Sequence, residues 1–243
     1  MGGFWEAKRV YRDFVAELST KNRYFADERF LRIFDAIFEN GENSVVIPKD
    51  YPLFRARRNP YGKDFKYVSE LGMNKNSRSP NRASPSGISY MYLAEDEITA
   101  IAEIKGHVGD DITVAQFQTK KELKIFSLGE ETPLLNQQSE ENDDFDYGGF
   151  LHMLMYAFAT PVNKSAEEEY LPCQYFSEYC KKKGFDGVRY FSSARGYHPF
   201  RTPEGMYCYV LFDDGSVAYA GANRFRLNDI VYQVFKCCPV HLE

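Results

Sequence analysis

Hydrophobic residues in the first forty positions recur every three or four residues, which is the spacing of one face of an α-helix. One stripe comprises Phe4, Val10, Phe14 and Leu18, and the next comprises Phe30, Ile33, Phe34 and Ile37. Asp27 stands where an N-cap is needed, and Gly41 stands where the second helix has to end. The pattern predicts an N-terminal helical extension over residues 1–45, followed by a domain over residues 46–243.

Beyond residue 45 short apolar runs separated by turn residues predict strands. The predicted strands cover residues 44–47, 53–57, 89–94, 112–118, 123–127, 187–192, 206–212, 217–220 and 230–235, and the predicted helices cover 96–105, 150–159 and 172–183. Residues 61–87 and 137–147 are polar and predict loops. Strands and helices do not alternate regularly, so we expect an α+β fold with a largely antiparallel, split or bent sheet and flanking helices.

The charge balance argues against direct nucleic-acid binding. The formal net charge is -5, and the sequence pI is about 5.5. Proteins that hold nucleic acid through its phosphates usually carry a basic face, whereas the basic runs here, 55–58 and 181–183, are short. Aromatic residues make up 16% of the chain. We therefore expect rings, and not clustered cations, to dominate the packing and the ligand pocket.

Cysteine and histidine usage points to a reducing compartment and to no metal site. The five cysteines form an odd set without a C-x-x-C pair, and no apolar N-terminal segment resembles a signal peptide. No run is long enough to predict a membrane-spanning helix. The four histidines are scattered without ligand spacing. We expect a cytoplasmic protein that requires no metal.

Three residues around the aromatic strand at 89–94 are candidates for chemistry. Arg82 precedes Tyr92 by ten positions, and Glu103 follows Tyr92 by eleven. A strand and the helix after it pack face to face, so a strand ring and a helix carboxylate can reach one site. Taken one at a time, each residue has a simpler interpretation: a surface cation for Arg82, core packing for Tyr92 and a solvated helix carboxylate for Glu103.

Two long stretches, taken together, resemble the RES-domain family, which is named for its Arg, Glu and Ser. The first is RASPSGISYMYLAEDEITAIAEIKG, from Arg82 to Gly106, and the second is EYLPCQYFSEYCKKKGFDGVRYFSS, from Glu169 to Ser193. Arg55, within Leu-Phe-Arg-Ala-Arg, resembles the first arginine of the family. The resemblance covers roughly residues 50–213, with the motifs in the same order along the chain as in the family. Two long motifs in order are more specific than any single motif.

The resemblance implies an ADP-ribosyltransferase-like fold and an enzyme that consumes NAD as its substrate. Family members include toxins of bacterial toxin-antitoxin pairs, whose antitoxin carries a DNA-binding Xre-type domain, so such a protein is an expected partner. We expect cleavage of the nicotinamide-ribose bond, with inorganic phosphate or water as the acceptor. The alternatives are a protein ADP-ribosyltransferase, and a module without catalysis that binds a nucleotide or an antitoxin.

The implied chemistry gives each matched residue a role. Glu103 stabilises the oxocarbenium-like ribose and holds a ribose hydroxyl. Arg82 and Arg55 bind the pyrophosphate of NAD or an incoming phosphate through forked hydrogen bonds. Tyr92 presents its ring to the cationic nicotinamide. Ser192 offers a hydroxyl donor beside the ribose or the phosphate. The candidate catalytic residues are therefore Arg82, Tyr92 and Glu103, with Arg55 and Ser192 as substrate-binding residues.

Some assignments have alternatives. Ser193 adjoins Ser192 and is the other candidate for the functional serine, while Gln174 is either a pocket residue or a structural polar group at a helix start. Many family members have an aromatic-Asn pair where this chain has Ala83-Ser84, and an Asn where it has Cys208. For Cys208, as for Cys173, a buried small residue is the simplest interpretation.

The N-terminal helices are additional to a minimal RES domain. A two-helix hairpin cannot bury both of its apolar stripes alone, so we expect it to pack against another surface. We favour a second copy of the chain, which makes a homodimer an expected assembly, and the alternative is packing within the chain.

Overall fold

The computed structural model describes residues 2–39, 41, 43–60, 63–75, 79–129, 145–160, 167–195 and 206–230. In that part of the chain the helices are α1 (Gly2–Thr20), α2 (Glu28–Glu39), α3 (Val68–Leu71), α4 (Glu97–Glu103), α5 (Tyr147–Ala159) and α6 (Leu171–Lys182). The strands are β1 (Ser44–Ile47), β2 (Pro52–Arg58), β3 (Met91–Ala94), β4 (Asp111–Thr119), β5 (Leu123–Leu128), β6 (Gly187–Phe191), β7 (Tyr207–Leu211) and β8 (Val217–Arg226). The α+β fold is confirmed.

Local sequence features explain where several helices begin and end. The carboxylate of Asp27 accepts a hydrogen bond from the backbone N–H of Arg29 at 2.9 Å, as expected of a residue that caps α2. Gly41 and Gly184 have φ angles of 69° and 81° just after α2 and α6, a left-handed conformation that glycine adopts without strain. Pro172 lies in the first turn of α6, where its missing N–H costs nothing.

Two predicted regions differ clearly from the observed elements, and a third prediction is not tested. The polar region 61–87 contains the short helix α3, whose four residues are too few to show a helical period. Strand β8 runs to Arg226, six residues beyond the predicted end, because most of this edge strand is exposed and carries no buried alternation. The predicted strand 230–235 lies outside the described residues from 231 onwards.

The strands form one eight-stranded sheet in the order β1-β5-β6-β7-β3-β2-β4-β8. Every neighbouring pair is antiparallel except β5 and β6, which are parallel. Strand β2 meets β3 at a single register pair, Phe54 with Ala94, although it pairs with β4 along its whole length. The sheet is therefore split into two halves that touch at this point, which agrees with the predicted split or bent antiparallel sheet.

The N-terminal helices pack within the chain. Phe14 of α1 lies against Phe30 and Phe34 of α2 and against Phe150 of α5, with ring centroids 5.1, 5.4 and 6.2 Å away. The buried stripes of α1 and α2 join one hydrophobic cluster with α5, α6 and the sheet. Packing within the chain covers these stripes except at Phe4, which was predicted to belong to the first stripe but is 43% exposed near the start of α1. A second copy is not needed to bury the remaining residues, and the homodimer stays a prediction.

Helix α4 lies over the point where the two half-sheets meet. Ala100 of α4 packs in one cluster with Ala56 of β2 and Ala94 of β3. The helix starts directly after β3, because Asp96 caps it by accepting a hydrogen bond from the backbone N–H of Thr99 at 2.7 Å. Its last residue, Glu103, is thereby carried towards the ends of β6 and β7. No helix in the described residues is both long and apolar enough to cross a membrane.

Candidate functional site

Glu103 and Ser192 are in direct contact. Ser192 follows the last residue of β6, and its hydroxyl donates a hydrogen bond to Oε1 of Glu103 at 2.5 Å. The backbone N–H of Ala194 donates to the Ser192 oxygen at 3.2 Å, and this fixes the rotamer of the serine. Ser192 is fully buried, whereas Glu103 is exposed. A buried hydroxyl thus holds an otherwise accessible carboxylate in one orientation.

Cys208 is a second donor to the same carboxylate oxygen. It lies on β7, opposite Ala94 and Tyr190 in the flanking strands, and its thiol is 3.4 Å from Oε1 of Glu103. Burial, together with the neighbouring carboxylate, raises the pKa of the Cys208 thiol well above its ordinary value, so the thiol stays neutral. Sequence reasoning missed this contact, although the replacement of the family's Asn at this position was a signal.

The two oxygens of Glu103 have different surroundings. Oε1 receives both hydrogen bonds, and within the described residues Oε2 receives none. Among the described residues Glu103 does not pair with a lysine, as a solvated helix carboxylate would be expected to do, and its hydrogen bonds come from Ser192 and Cys208. A carboxylate anchored through one oxygen presents the other in a fixed direction, which suits the stabilisation of a developing positive charge.

Tyr92 is held by its hydroxyl group. The backbone N–H of Ala83 donates to the Tyr92 hydroxyl at 3.1 Å, and the Ser84 hydroxyl lies 3.1 Å from the same oxygen. Burial raises the pKa of Tyr92 above its ordinary value. Ala83 and Ser84, which replace the aromatic-Asn pair of many family members, are both fully buried here. The loop that carries Arg82 is therefore fastened to the ring of Tyr92.

Arg82 is half-buried and caps the end of α5. Its Nη1 donates to the carbonyls of Ala157 and Thr160 at 2.8 and 2.6 Å, at the C-terminal end of α5, where the last carbonyls have no partner within the helix. Arg82 and Glu103 both influence the pKa of the buried Tyr190. Burial first, then Cys208 and Glu103, raise the pKa of Tyr190 well above its ordinary value, while Arg82 opposes them. The cation and the carboxylate thus share one neighbourhood.

Arg55 lies in the split between the half-sheets. Its Nη1 donates to the backbone carbonyl of Tyr92 at 2.9 Å and lies 3.7 Å from the sulfur of Met91. At this position β2 has already separated from β3, so the guanidinium replaces a missing hydrogen bond between the strands. Burial lowers the pKa of Arg55 to about 9, and the adjacent Arg57 contributes to the lowering. Arg55 is connected to the site through the main chain of Tyr92.

Two candidate residues do not contact this group in the described part of the chain. Ser193 is partly exposed, starts a short 3-10 turn and makes no side-chain hydrogen bond within the described residues. Ser192 is therefore the serine that contacts Glu103. Gln174 is buried on α6 and donates to the carbonyl of Asn81 at 2.8 Å. That contact ties α6 to the loop before Arg82, which is the structural role left open by the sequence.

Metal-binding side chains do not cluster in the described residues. No group of three or more His, Cys, Asp or Glu side chains there is placed to hold a metal ion. Of the histidines that the structure describes, His107 is exposed and lies 3.7 Å from Asp110, and His152 is exposed on α5.

The comparison with protein families identifies the chain. The family model described as "RES domain" matches residues 52–227, which is more than half of the 243 residues. No curated protein matches the chain. The match begins at the first residue of β2 and ends just after β8, so it includes every strand of the sheet except β1, and it includes the contact between Glu103 and Ser192. The chain belongs to the RES-domain family.

Proposed function

We propose that this protein is an enzyme that cleaves the nicotinamide-ribose bond of NAD, with inorganic phosphate or water as the acceptor. The observation that carries the proposal is the anchored carboxylate: Ser192 and Cys208 both donate to Oε1 of Glu103 and leave Oε2 without a partner in the described residues. A glutamate that is exposed and yet fixed by buried donors is typical of a group that acts on a ligand.

The reaction explains why a fixed carboxylate is needed. When the bond between the nicotinamide nitrogen and the anomeric carbon breaks, its electron pair leaves with nicotinamide, and the ribose acquires oxocarbenium character. Oε2 of Glu103 stabilises that positive charge. A phosphate oxygen or a water oxygen then bonds to the anomeric carbon, and water releases its proton. The products are nicotinamide with either ADP-ribose 1″-phosphate or ADP-ribose.

The surrounding residues position the substrate. Tyr92, whose hydroxyl is fixed by the loop at 83–84, presents its ring face to the cationic nicotinamide before the bond breaks. Ser192 and the neutral thiol of Cys208 keep the carboxylate in one rotamer, which removes the cost of ordering it in the transition state. Arg82, half-buried beside this group, supplies the positive charge that attracts the pyrophosphate or an incoming phosphate.

Depletion of NAD would stop the growth of a cell, so we assign the protein the role of a bacterial toxin. Membership of the RES-domain family supports this assignment. A partner protein with a DNA-binding Xre-type domain would then neutralise the enzyme. Growth arrest on expression, relieved by co-expression of the neighbouring reading frame, is the expected result.

The acceptor can be identified directly from the products. The purified protein is incubated with NAD that is labelled in the adenosine half, with and without inorganic phosphate, and small molecules and protein are separated and analysed by mass spectrometry. Label in ADP-ribose 1″-phosphate identifies phosphate as the acceptor, and label in ADP-ribose identifies water. Label that stays on protein would instead make the enzyme an ADP-ribosyltransferase, and intact NAD under all conditions would overturn the proposal.

A further inference from the structure

The loop between α1 and α2 holds two aromatic side chains in water. Tyr24 and Phe25 are each 80% exposed, although they adjoin well-packed helices. Their backbone N–H groups donate to Oδ1 of Asn22 at 3.3 and 3.1 Å. The carboxylate of Glu17 accepts a hydrogen bond from the backbone N–H of Asp27 at 2.6 Å, which ties the far end of the loop to α1. The loop is therefore ordered by hydrogen bonds and presents both rings in a fixed place.

A cavity of about 990 Å³ lies beside these rings, and Tyr24 and Phe25 form part of its wall. The remaining wall comes from the ends of α1 and α2, from α6 and from the loop that precedes β3. The apolar residues that line it inside the rings are Leu18, Ala26, Leu31, Leu171, Tyr175 and Tyr179. Contiguous apolar surface that is left in contact with water marks an interaction site.

Polar groups of the cavity wall lack partners in the part of the chain that the structure describes. Gln174 is 7% exposed; its Nε2 donates to the carbonyl of Asn81 at 2.8 Å, and its Oε1 accepts no hydrogen bond there. Arg23 adjoins the two rings, and Glu168 lies just before α6; neither forms an ion pair within those residues. An occupant that brings a hydroxyl donor and a cation would complement the amide oxygen and the carboxylate.

We propose that two copies of the chain form a symmetric dimer in which Tyr24 and Phe25 of each copy enter the cavity of the other. A two-fold interface uses the same surface on both copies, so a projecting group and the cavity that receives it have to lie side by side. The loop and the cavity meet this condition. The apolar stripes of α1 and α2 take no part, because they are buried within the chain.

The loop also carries the polar groups that the cavity wants. The phenol of Tyr24 can donate to the amide oxygen of Gln174 in the other copy, and Arg23 carries a positive charge towards Glu168. A different partner that only filled the cavity would leave both rings in water. A second copy covers the rings and the cavity together, and this pairing does not depend on the proposed NAD cleavage.

The area of the rings is sufficient for such a dimer. An aromatic side chain buries about 150–250 Å² when it leaves water, so four rings and the walls that receive them would bury about 1,000–1,600 Å². Stable interfaces bury about 1,200–2,000 Å² in total.

The test is the mass of the protein in solution, measured by sedimentation over a series of concentrations. The wild type is compared with a double variant, Tyr24→Ser with Phe25→Ser, and with the control Trp5→Ser. Trp5 is 67% exposed at the other end of α1, so its variant removes a comparable ring away from the cavity. We expect the wild type and Trp5→Ser to have twice the chain mass of 28.1 kDa, and the double variant to have that mass once.

Melting curves at several protein concentrations give a second measurement. A dimer that forms only from folded chains makes the melting temperature rise with concentration. The wild type should show this rise and the double variant should not, and a cooperative transition in the double variant shows that it is folded.

Three results would overturn the proposal. One is a wild type of single-chain mass at every concentration, a result that needs no variant to fold. Another is a folded double variant that keeps the dimer mass. The third is loss of the dimer in Trp5→Ser but not in the double variant, which would place the interface at the start of α1.

Discussion

The hydroxyl of Ser192 donates to Oε1 of Glu103 across 89 positions of sequence. Glu103 ends a helix that lies over the meeting point of the half-sheets, and Ser192 directly follows a strand of the larger half. The contact therefore depends on the relative placement of two separate parts of the fold. It also separates the two carboxylate oxygens into one that is anchored and one that is available to a ligand.

Removing the Ser192 hydroxyl or the Cys208 thiol should slow the reaction, and the stronger hydrogen-bond donor should have the larger effect. Ser192→Ala should lower kcat/KM by about tenfold to a hundredfold, since a hydrogen bond to a charged group contributes about 1.5–3 kcal/mol. Cys208→Ala should have a smaller effect because a thiol is a weak donor. The double variant should lose less than the sum of the two free-energy changes, because both donors serve one oxygen.

The matched control for these variants is Cys180→Ala, which removes a thiol that is equally buried but lies on α6. Steady-state kinetics on folded proteins provide the comparison. Equal losses in Cys180→Ala and Cys208→Ala would contradict a role for the Cys208 thiol at Glu103.

Tyr92 should act mainly through its ring. Tyr92→Phe removes the acceptor for the Ala83 N–H and the partner of Ser84, so it should cost about 1–3 kcal/mol of stability and part of the activity. Tyr92→Ala removes the ring as well and should be far less active. Ser84→Ala is the control for the lost hydroxyl contact. Thermal unfolding and turnover are measured together, and equal activity of the Phe and Ala variants would assign the role to the hydroxyl.

Arg82→Lys should reduce both stability and activity, although the charge is kept. One guanidinium nitrogen bridges the carbonyls of Ala157 and Thr160, and a lysine cannot reproduce the fork that leaves the remaining donors for a phosphate. We expect a loss of about 1–3 kcal/mol in the free energy of unfolding and a rise in KM. Denaturant unfolding and kinetics test this, and wild-type values for both would show that Arg82 has neither role.

The thiol of Cys208 should resist alkylation under mildly alkaline conditions. Its raised pKa means that the folded protein keeps the thiol proton as the pH rises above the ordinary value of about 8.5, while the unfolded chain loses it. Stability therefore falls as the pH rises through that window. Glu103→Gln should accelerate alkylation because the carboxylate is one cause of the raised pKa. The rate is measured by mass spectrometry after iodoacetamide treatment from about pH 7 to about pH 10, which covers both sides of the ordinary thiol pKa of about 8.5. A slower reaction in Glu103→Gln would contradict the contact between Cys208 and Glu103.

The sequence predicts most elements of this fold because their signals are local. Asp27 and Gly184 mark helix ends by their own backbone preferences, and the apolar stripe around Phe14 marks a buried helix face. The exposed edge strand β8 and the four-residue helix α3 carry no such periodic signal, so their extents were missed.

The residues of the site were identified through family resemblance, and their contacts could not be predicted from spacing. Whether Ser192 or Ser193 faces Glu103 depends on the twist and end of β6, and the approach of Cys208 depends on the register between β6 and β7. The same limit applies to Arg57, because a basic run does not indicate which guanidinium pairs with a carboxylate, as Arg58 does, and which donates only to a backbone carbonyl within the described residues.

The most direct test of the account compares NAD consumption by the wild type, Glu103→Gln and Glu97→Gln in phosphate buffer. Glu97 lies in the first turn of the same helix, so its variant removes a carboxylate of α4 without touching Oε1 or its donors. Wild type and Glu97→Gln should consume NAD at similar rates, and Glu103→Gln should be at least about a hundredfold slower, because an amide loses the electrostatic stabilisation of the transition state. A folded Glu103→Gln protein that turns over NAD at the wild-type rate would contradict the central claim.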